Sequence, residues 1–507
     1  MDRKTIAVKG AGIGVASQLV NLVAKFVVRT FAIRYLGMEL LGLDSVLIDI
    51  VSMLSLAEMG LTSAMLFRLY KPIIDDDKKR VSVLMASYRM IYHIIAAVIT
   101  VLGIIIFFFL PYIVKNISIT WEQIYFAYVL QLICSISSYI LAYQRILLNA
   151  DQKKHLCLLV DMIATVIFSA LKVFVIVLLH SYLFYLVLNI FQIIIANIVL
   201  KIYSFRTYSY IDSKEKCDKA DLRVILNDTK EVLGGKIAGY IYSGTDNMII
   251  SIVLGTGIVG ILSNYKYISS AMKGIVNSTM STIQPLIGNY LNSDATKSSS
   301  FRTLLRYTFI RYLIAGISTC AFTTISDSFV QIWAKSDAVV MSYSISLLLA
   351  GDYYIGCVYG PLNEYLIGLG EFKLSKIAMS IGAFVNIAFS LLGVLTIGCE
   401  GVLLATVLSQ SVLWIVNGII VFRSYYNNEY GYIYLKKQVA YICGLIISIV
   451  VSLVATKLLP TDNLVYRCIL GGLVSGSVFF LISVLLFGRT EEFRFIYGLL
   501  NARLRDN

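Results

Sequence analysis

The stretch Gln18–Gly37, QLVNLVAKFVVRTFAIRYLG, decides the fold. It is an apolar run of helical length, yet Lys25 and Arg29 lie inside it, one turn apart. Runs of this kind recur along the 507 residues, which are 58% hydrophobic and 14% charged, with a mean hydropathy of +0.80. A soluble chain is about half apolar and about a quarter charged. The excess falls in stretches of roughly 20 residues or more, the length that spans a bilayer as a helix. The first run is too long, carries cations and lacks a small-residue cleavage site, so it reads as a retained helix rather than a leader.

Fourteen runs lie near residues 11–33, 40–66, 83–112, 120–144, 157–179, 182–204, 230–252, 257–280, 304–330, 338–363, 376–396, 401–422, 438–458 and 466–487. With the N-terminus placed inside, the inner segments collect about 30 cations against 5 outside (Arg34, Lys115, Lys335, Lys457 and Arg467). That bias follows the positive-inside rule and puts both termini in the cytoplasm. The net charge of +13 is therefore a matter of sidedness, and no nucleic-acid motif accompanies it. Eight scattered cysteines form no CxxC pair, and three distant histidines make no metal spacing. No P-loop or nucleophile–base set is present, so the expectation is a transporter, not an enzyme, with neither cofactor nor metal.

The chain also repeats itself. Leu36-Gly37, Gly42 and Ser45 recur 218 residues on as Leu254-Gly255, Gly260 and Ser263. Asp75 and Lys78 recur 219 on as Asp294 and Lys297, and Leu147 and Lys154 as Leu366 and Lys373. A unit of six helices keeps both copies in one orientation, related by an axis along the membrane normal. The expected fold is an all-α polytopic membrane protein of about 14 transmembrane helices, with two pseudo-symmetric six-helix lobes around a central cavity and two C-terminal helices. The expected segments are an N-lobe at 1–205, a cytoplasmic linker at 206–229, a C-lobe at 230–430, two further spans at 431–488 and a tail at 489–507. The tail reads either as an amphipathic helix on the inner membrane face or as a frayed end.

Polar residues inside apolar spans are the candidate site, because intramembrane charges face a bundle interior or a wet cavity. Gln18, Asn21, Lys25 and Arg29, spaced by three and four, form one helical stripe. Lys236 belongs to the seventh span, and Lys266, Lys273 and Asn277 to the eighth. Together they predict a cationic chamber between lobes. The structural alternative is ion pairing: Asp44 and Asp49 for Lys25 and Arg29, and Asp246 for Lys266. Lys273 has no acidic partner that the sequence reveals, and Lys172 no assignable neighbour. Asp161, Arg89 and Arg311 read as interfacial anchors. Glu58 and Asp352 are candidate ion-coupling acids. Pro285 and Pro361 read either as fixed kinks or as hinges for alternating access.

The segments RYLGMELLGL (Arg34–Leu43), LSLAEMGLTSAMLFRLYKP (Leu54–Pro72) and LNEYLIGLGEFKLSK (Leu362–Lys376) carry a resemblance. The chain resembles the Wzx-type flippases of O-antigen, capsule and exopolysaccharide units, within the multidrug/oligosaccharidyl-lipid/polysaccharide exporter superfamily. The resemblance implies a protein of the bacterial cytoplasmic (inner) membrane. It would turn an undecaprenyl-diphosphate-linked oligosaccharide from the inner to the outer leaflet, among membrane lipids and beside a polymerase and other polysaccharide-assembly proteins. It also implies that chamber cations hold the diphosphate. In related lipid II flippases these lie on the first, second and eighth helices. Here the first and eighth supply them, but the second carries Asp44, Asp49 and Glu58, which argues against lipid II. An anion leaving a negative interior moves downhill; two charges across 100 mV gain roughly 4–5 kcal/mol. The alternative is a cation-coupled drug or metabolite exporter of the same superfamily.

Overall fold

The computed structural model describes residues 3–55, 61–140, 142–211, 237–240, 244–280, 287, 291, 296–336, 339–369, 371–459 and 463–505. Lys236, Glu58, Pro285 and most of the expected 206–229 linker lie outside them. Every regular element among the described residues is a helix, as an apolar chain must be if it is to satisfy its backbone in lipid. The first half runs α1 (Arg3–Tyr35), α2 (Met38–Leu54), α3 (Leu61–Ile74), α4 (Lys78–Phe107), α5 (Leu110–Ile113), α6 (Trp121–Ile140), α7 (Tyr143–Ala150), α8 (Lys154–Leu179) and α9 (Tyr182–Thr207). The second runs α10 (Asp246–Val253), α11 (Thr256–Met280), α12 (Lys297–Ala334), α13 (Tyr343–Gly368), α14 (Phe372–Ile397), α15 (Cys399–Ser424), α16 (Gly431–Lys457), α17 (Leu464–Phe487) and α18 (Glu491–Arg505).

Among the described residues, 11 helices are long and apolar enough to cross a membrane, and the protein is a multi-pass membrane protein. Three predicted spans are not among these 11. The second is described on either side of residues 56–60, as α2 and α3. The seventh is described only from 237 to 240 and at its end, as α10. The eighth, α11, has the length, but Lys266, Lys273 and its serines and asparagines keep it too polar.

By internal contact the chain divides into two compact units, Met1–Tyr240 with Ile250–Gly260, and Ile241–Ile249 with Ile261–Asn507. The repeat reappears in the turns. Gly37 and Gly255, 218 apart, have φ of +86° and +107°. Asn116 and Lys335, 219 apart, have +51° and +53°; His180 and Gly398, 218 apart, have +49° and +68°. A left-handed residue ends or redirects a helix, so corresponding helices stop at corresponding places. In the first unit, Gly42 and Gly260 meet: a Cβ on Gly42 would lie 2.9 Å from the Gly260 nitrogen, and a Cβ on Gly260 would overlap the Met38 carbonyl. Small residues let helix backbones approach this closely.

The second unit has an aromatic core on α12, α16 and α17. Tyr312 stacks on Tyr441 at 4.7 Å and packs against Phe479 at 5.3 Å, and Gly316 leaves the space that the Phe479 ring fills. The tail is helical over Glu491–Arg505 and pairs with the second unit. Glu491 pairs with Arg306 at 2.8 Å, buried Glu492 pairs with Lys437, and Arg306 stacks over Phe495 at 4.1 Å.

Candidate functional site

The eighth-span lysines are placed by spacing alone: seven residues is two helical turns, so Lys266 and Lys273 lie on one face of α11. They line a cavity of about 240 Å³ within the second unit, together with Asp246, Asp352, Thr406 and Gln410. Four helices thus converge: α10, α11, α13 and α15. Lys266 Nζ donates to Asn247 Oδ1 at 3.0 Å and lies 3.6 Å from Asp246 Oδ2. Lys273 Nζ sits 2.6 Å from Asp352 Oδ2. This corrects the expectation that Lys273 lacks an acid: its partner lies 79 residues on. Gly356, one turn after Asp352, makes room, since a Cβ there would sit 3.4 Å from Lys273 Cε.

The acids lie deeper than the cations. Asp246 and Asp352 side chains are 7% and 17% exposed, Lys266 and Lys273 24% and 29%. Behind them runs a polar relay. Gln410 donates to Asp352 Oδ1, Thr406 donates to Asp246 Oδ2 at 3.0 Å, and Asn386 donates to Thr406 at 3.3 Å. Asp246 Oδ1, Asn386 Oδ1, Gln410 Oε1 and Ser390 Oγ are buried with no partner within the protein. A surplus of buried oxygens is complemented by a donor or by a hard cation. The site is therefore balanced, two cations to two acids, with reachable ammonium groups in front and oxygen behind.

The first unit has a parallel cluster. Asp44, 6% exposed, accepts from Gln131 at 3.0 Å and Tyr182 at 2.9 Å, and the charges of Arg29 and Lys172 act on it. Lys172 has neighbours after all: it donates to Gln192 at 2.5 Å and lies 5.8 Å from the Tyr185 ring. Gln192 and Gln410, 218 apart, each bond a buried charge, a correspondence that the repeat offset makes findable in the sequence. Lys25 is exposed, with no hydrogen bond or ion pair among the described residues. Gln18 and Asn277 are exposed as well, and Asn21 donates to Ser17 at 3.4 Å.

One assignment changes, and three further residues gain partners or a place. Arg311 is no interfacial anchor: it is 2% exposed, pairs with Glu364 at 2.5 Å and donates to the Cys357 carbonyl at 3.0 Å. Asp161 takes both terminal nitrogens of Arg145, at 2.7 and 2.8 Å. Pro361 is buried inside α13, which continues through it to Gly368. Asp49 gives its backbone carbonyl to Tyr240.

The sequence model of the family described as "Polysaccharide biosynthesis protein" matches residues 7–291. The chain belongs to the polysaccharide biosynthesis protein family. No curated protein sequence matches it. Among solved structures it is similar to the lipid II flippase MurJ in an inward closed conformation, with a TM-score of 0.67 at 14% identity over 95% of this chain and 99% of that one. It is also similar to an inward-facing multidrug resistance MATE transporter of the MOP superfamily, with a TM-score of 0.61 at 15% identity over 80% and 96%. A third likeness is to a MOP superfamily transporter from Pyrococcus furiosus whose binding pocket has reversed polarity, with a TM-score of 0.52 at 15% identity over 82% and 94%. This member of the polysaccharide biosynthesis protein family therefore has the MOP transporter fold, the superfamily that the sequence resemblance names.

Proposed function

We propose that the protein flips undecaprenyl-diphosphate-linked oligosaccharide units from the cytoplasmic to the outer leaflet by alternating access, for surface polysaccharide synthesis. The observation that carries the reading is the α11 face, where Lys266 and Lys273 present two ammonium groups to a cavity of about 240 Å³. Two cations spaced two turns apart, roughly 10 Å, suit a diphosphate with its first sugar better than a single charge. Within the first unit, Lys25 and Arg29 stand on α1, and the buried, amide-held Asp44 stands on α2.

The ion pairs set the chemistry of loading. A diphosphate that takes Lys266 and Lys273 strips Asp246 and Asp352 of their counter-ions. A buried carboxylate left unpaired is strongly unfavourable, so each acid gains a proton or a small cation as the headgroup arrives. The unpartnered oxygens of Asp246, Asn386 and Ser390 provide the place for one. The cation stands in for the lysine while the headgroup is bound, and Asp352 acts as the coupling acid by holding Lys273 between cycles.

The same acids favour a second reading, a cation-coupled exporter of drugs or metabolites. The two separate in a strain lacking its own flippase. Lys266→Ala and Lys273→Ala, made singly in protein that reaches normal levels, are expected to abolish surface polymer. Normal polymer in both variants, with drug resistance on overexpression, supports the exporter instead.

A further inference from the structure

A second cavity, about 330 Å³, opens on the flank of the first unit between α4, α6, α7 and α9. It is separate from the lysine cavity of the second unit. Its polar lining is Arg89 and His93 on α4, Tyr143 and Gln144 on α7, and Lys201 on α9, with no carboxylate among the described residues. His93 and Lys201 are exposed and have neither hydrogen bond nor ion pair among the described residues. Gln144 is 7% exposed; its Oε1 accepts from Ser204 at 2.7 Å while its Nε2 has no partner among the described residues. Tyr143 is 8% exposed and its hydroxyl likewise has none. Two side chains more than nine-tenths buried thus turn donors into a cavity whose rim is cationic.

Such a set calls for an anion. Exposed cations on a spanning helix are costly unless they reach headgroup depth or a counter-charge. Lys201 stands six residues from the end of α9, about 9 Å along its axis, which is headgroup depth at the Lys-rich end. The remaining wall is apolar and faces outward: Phe205 is 65% exposed and Ile140 42%. Phe205 lies one turn beyond Lys201, so charge and apolar surface adjoin on one helix face. We propose that this groove binds the phosphate headgroup of an anionic membrane phospholipid, with an acyl chain lying against Phe205 and Ile140. Arg89 and Lys201 neutralise the phosphate, and His93, Tyr143 and Gln144 donate to its oxygens. The reading follows the general rule that basic pockets between spanning helices take anionic headgroups, and it does not depend on what the protein transports.

The test is native mass spectrometry of the full chain in mild detergent, titrated separately with phosphatidylglycerol, phosphatidylcholine and inorganic phosphate. The proposal expects one saturable phosphatidylglycerol and no comparable retention of phosphatidylcholine. His93→Gln/Lys201→Gln, two exposed positions whose change leaves the melting temperature in place, is expected to weaken that binding about tenfold or more. Lys376→Gln, an exposed cation on α14, is expected to leave it unchanged. Equal affinity in the double variant, equal retention of phosphatidylcholine, or displacement of the lipid by millimolar phosphate would each overturn the assignment.

Discussion

Charged residues in this chain meet the apolar environment in three ways. Arg311 is buried and held by Glu364, Tyr307 and a carbonyl. Lys273 is paired yet borders a cavity. Lys25 is exposed with no bond among the described residues. The sequence shows each charge but not its partner, because the partners lie 53 and 79 residues away on other helices. Depth in a span therefore misplaces Arg311 at an interface and leaves Lys273 without an acid. The glycines carry what signal there is. Gly356 and Gly360 leave space for Lys273 and Arg311, and a Cβ on Gly360 would overlap the guanidinium. Arg311→Met strands Glu364 and is expected to lower stability by about 3–5 kcal/mol, with most of it restored in Arg311→Met/Glu364→Leu. Thermal unfolding of the purified variants measures both. Equal melting of the single and double variants contradicts the pairing account.

Helices were far more legible than contacts. Length and hydropathy are local properties, so spans of about 20 residues stand out along the chain. What escapes this reading is a span made polar by its own site, as in α11. The repeat offset was equally legible, and its physical basis is the left-handed turns at Gly37 and Gly255 and the crossing of Gly42 with Gly260. Gly260→Ala places a methyl against the Met38 carbonyl and is expected to cost about 1–3 kcal/mol through overpacking, seen as a lower melting temperature. Gly239→Ala, whose Cβ meets nothing within 4 Å, serves as the comparison that does not clash. The tail was ambiguous because its apolar and charged residues suit either a membrane face or a protein groove. In the structure Glu491 and Glu492 pair with Arg306 and Lys437. Glu492→Ala leaves Lys437 half-buried without that partner, and limited proteolysis is expected to cut near the C-terminus several times faster than in the wild type.

For the whole molecule, the proposed flipping of a lipid anion would change the charge balance of the site that receives it. The two lysine–aspartate pairs of the second unit supply the means, because they are neutral when empty and leave two acids exposed to cation uptake when the headgroup arrives. Lipid diphosphate binding is therefore expected to strengthen as Na⁺ rises or as pH falls, and binding indifferent to both contradicts the coupling. Asp352 holds Lys273 when the site is empty, so Asp352→Asn is expected to remove the dependence of diphosphate binding on Na⁺ and pH at that pair. The most direct test is flipping of a fluorescent undecaprenyl-diphosphate saccharide in proteoliposomes. The account predicts that Lys266→Ala/Lys273→Ala, folded and inserted at wild-type levels, loses nearly all flipping and diphosphate binding; wild-type rates and affinity in that variant would contradict it.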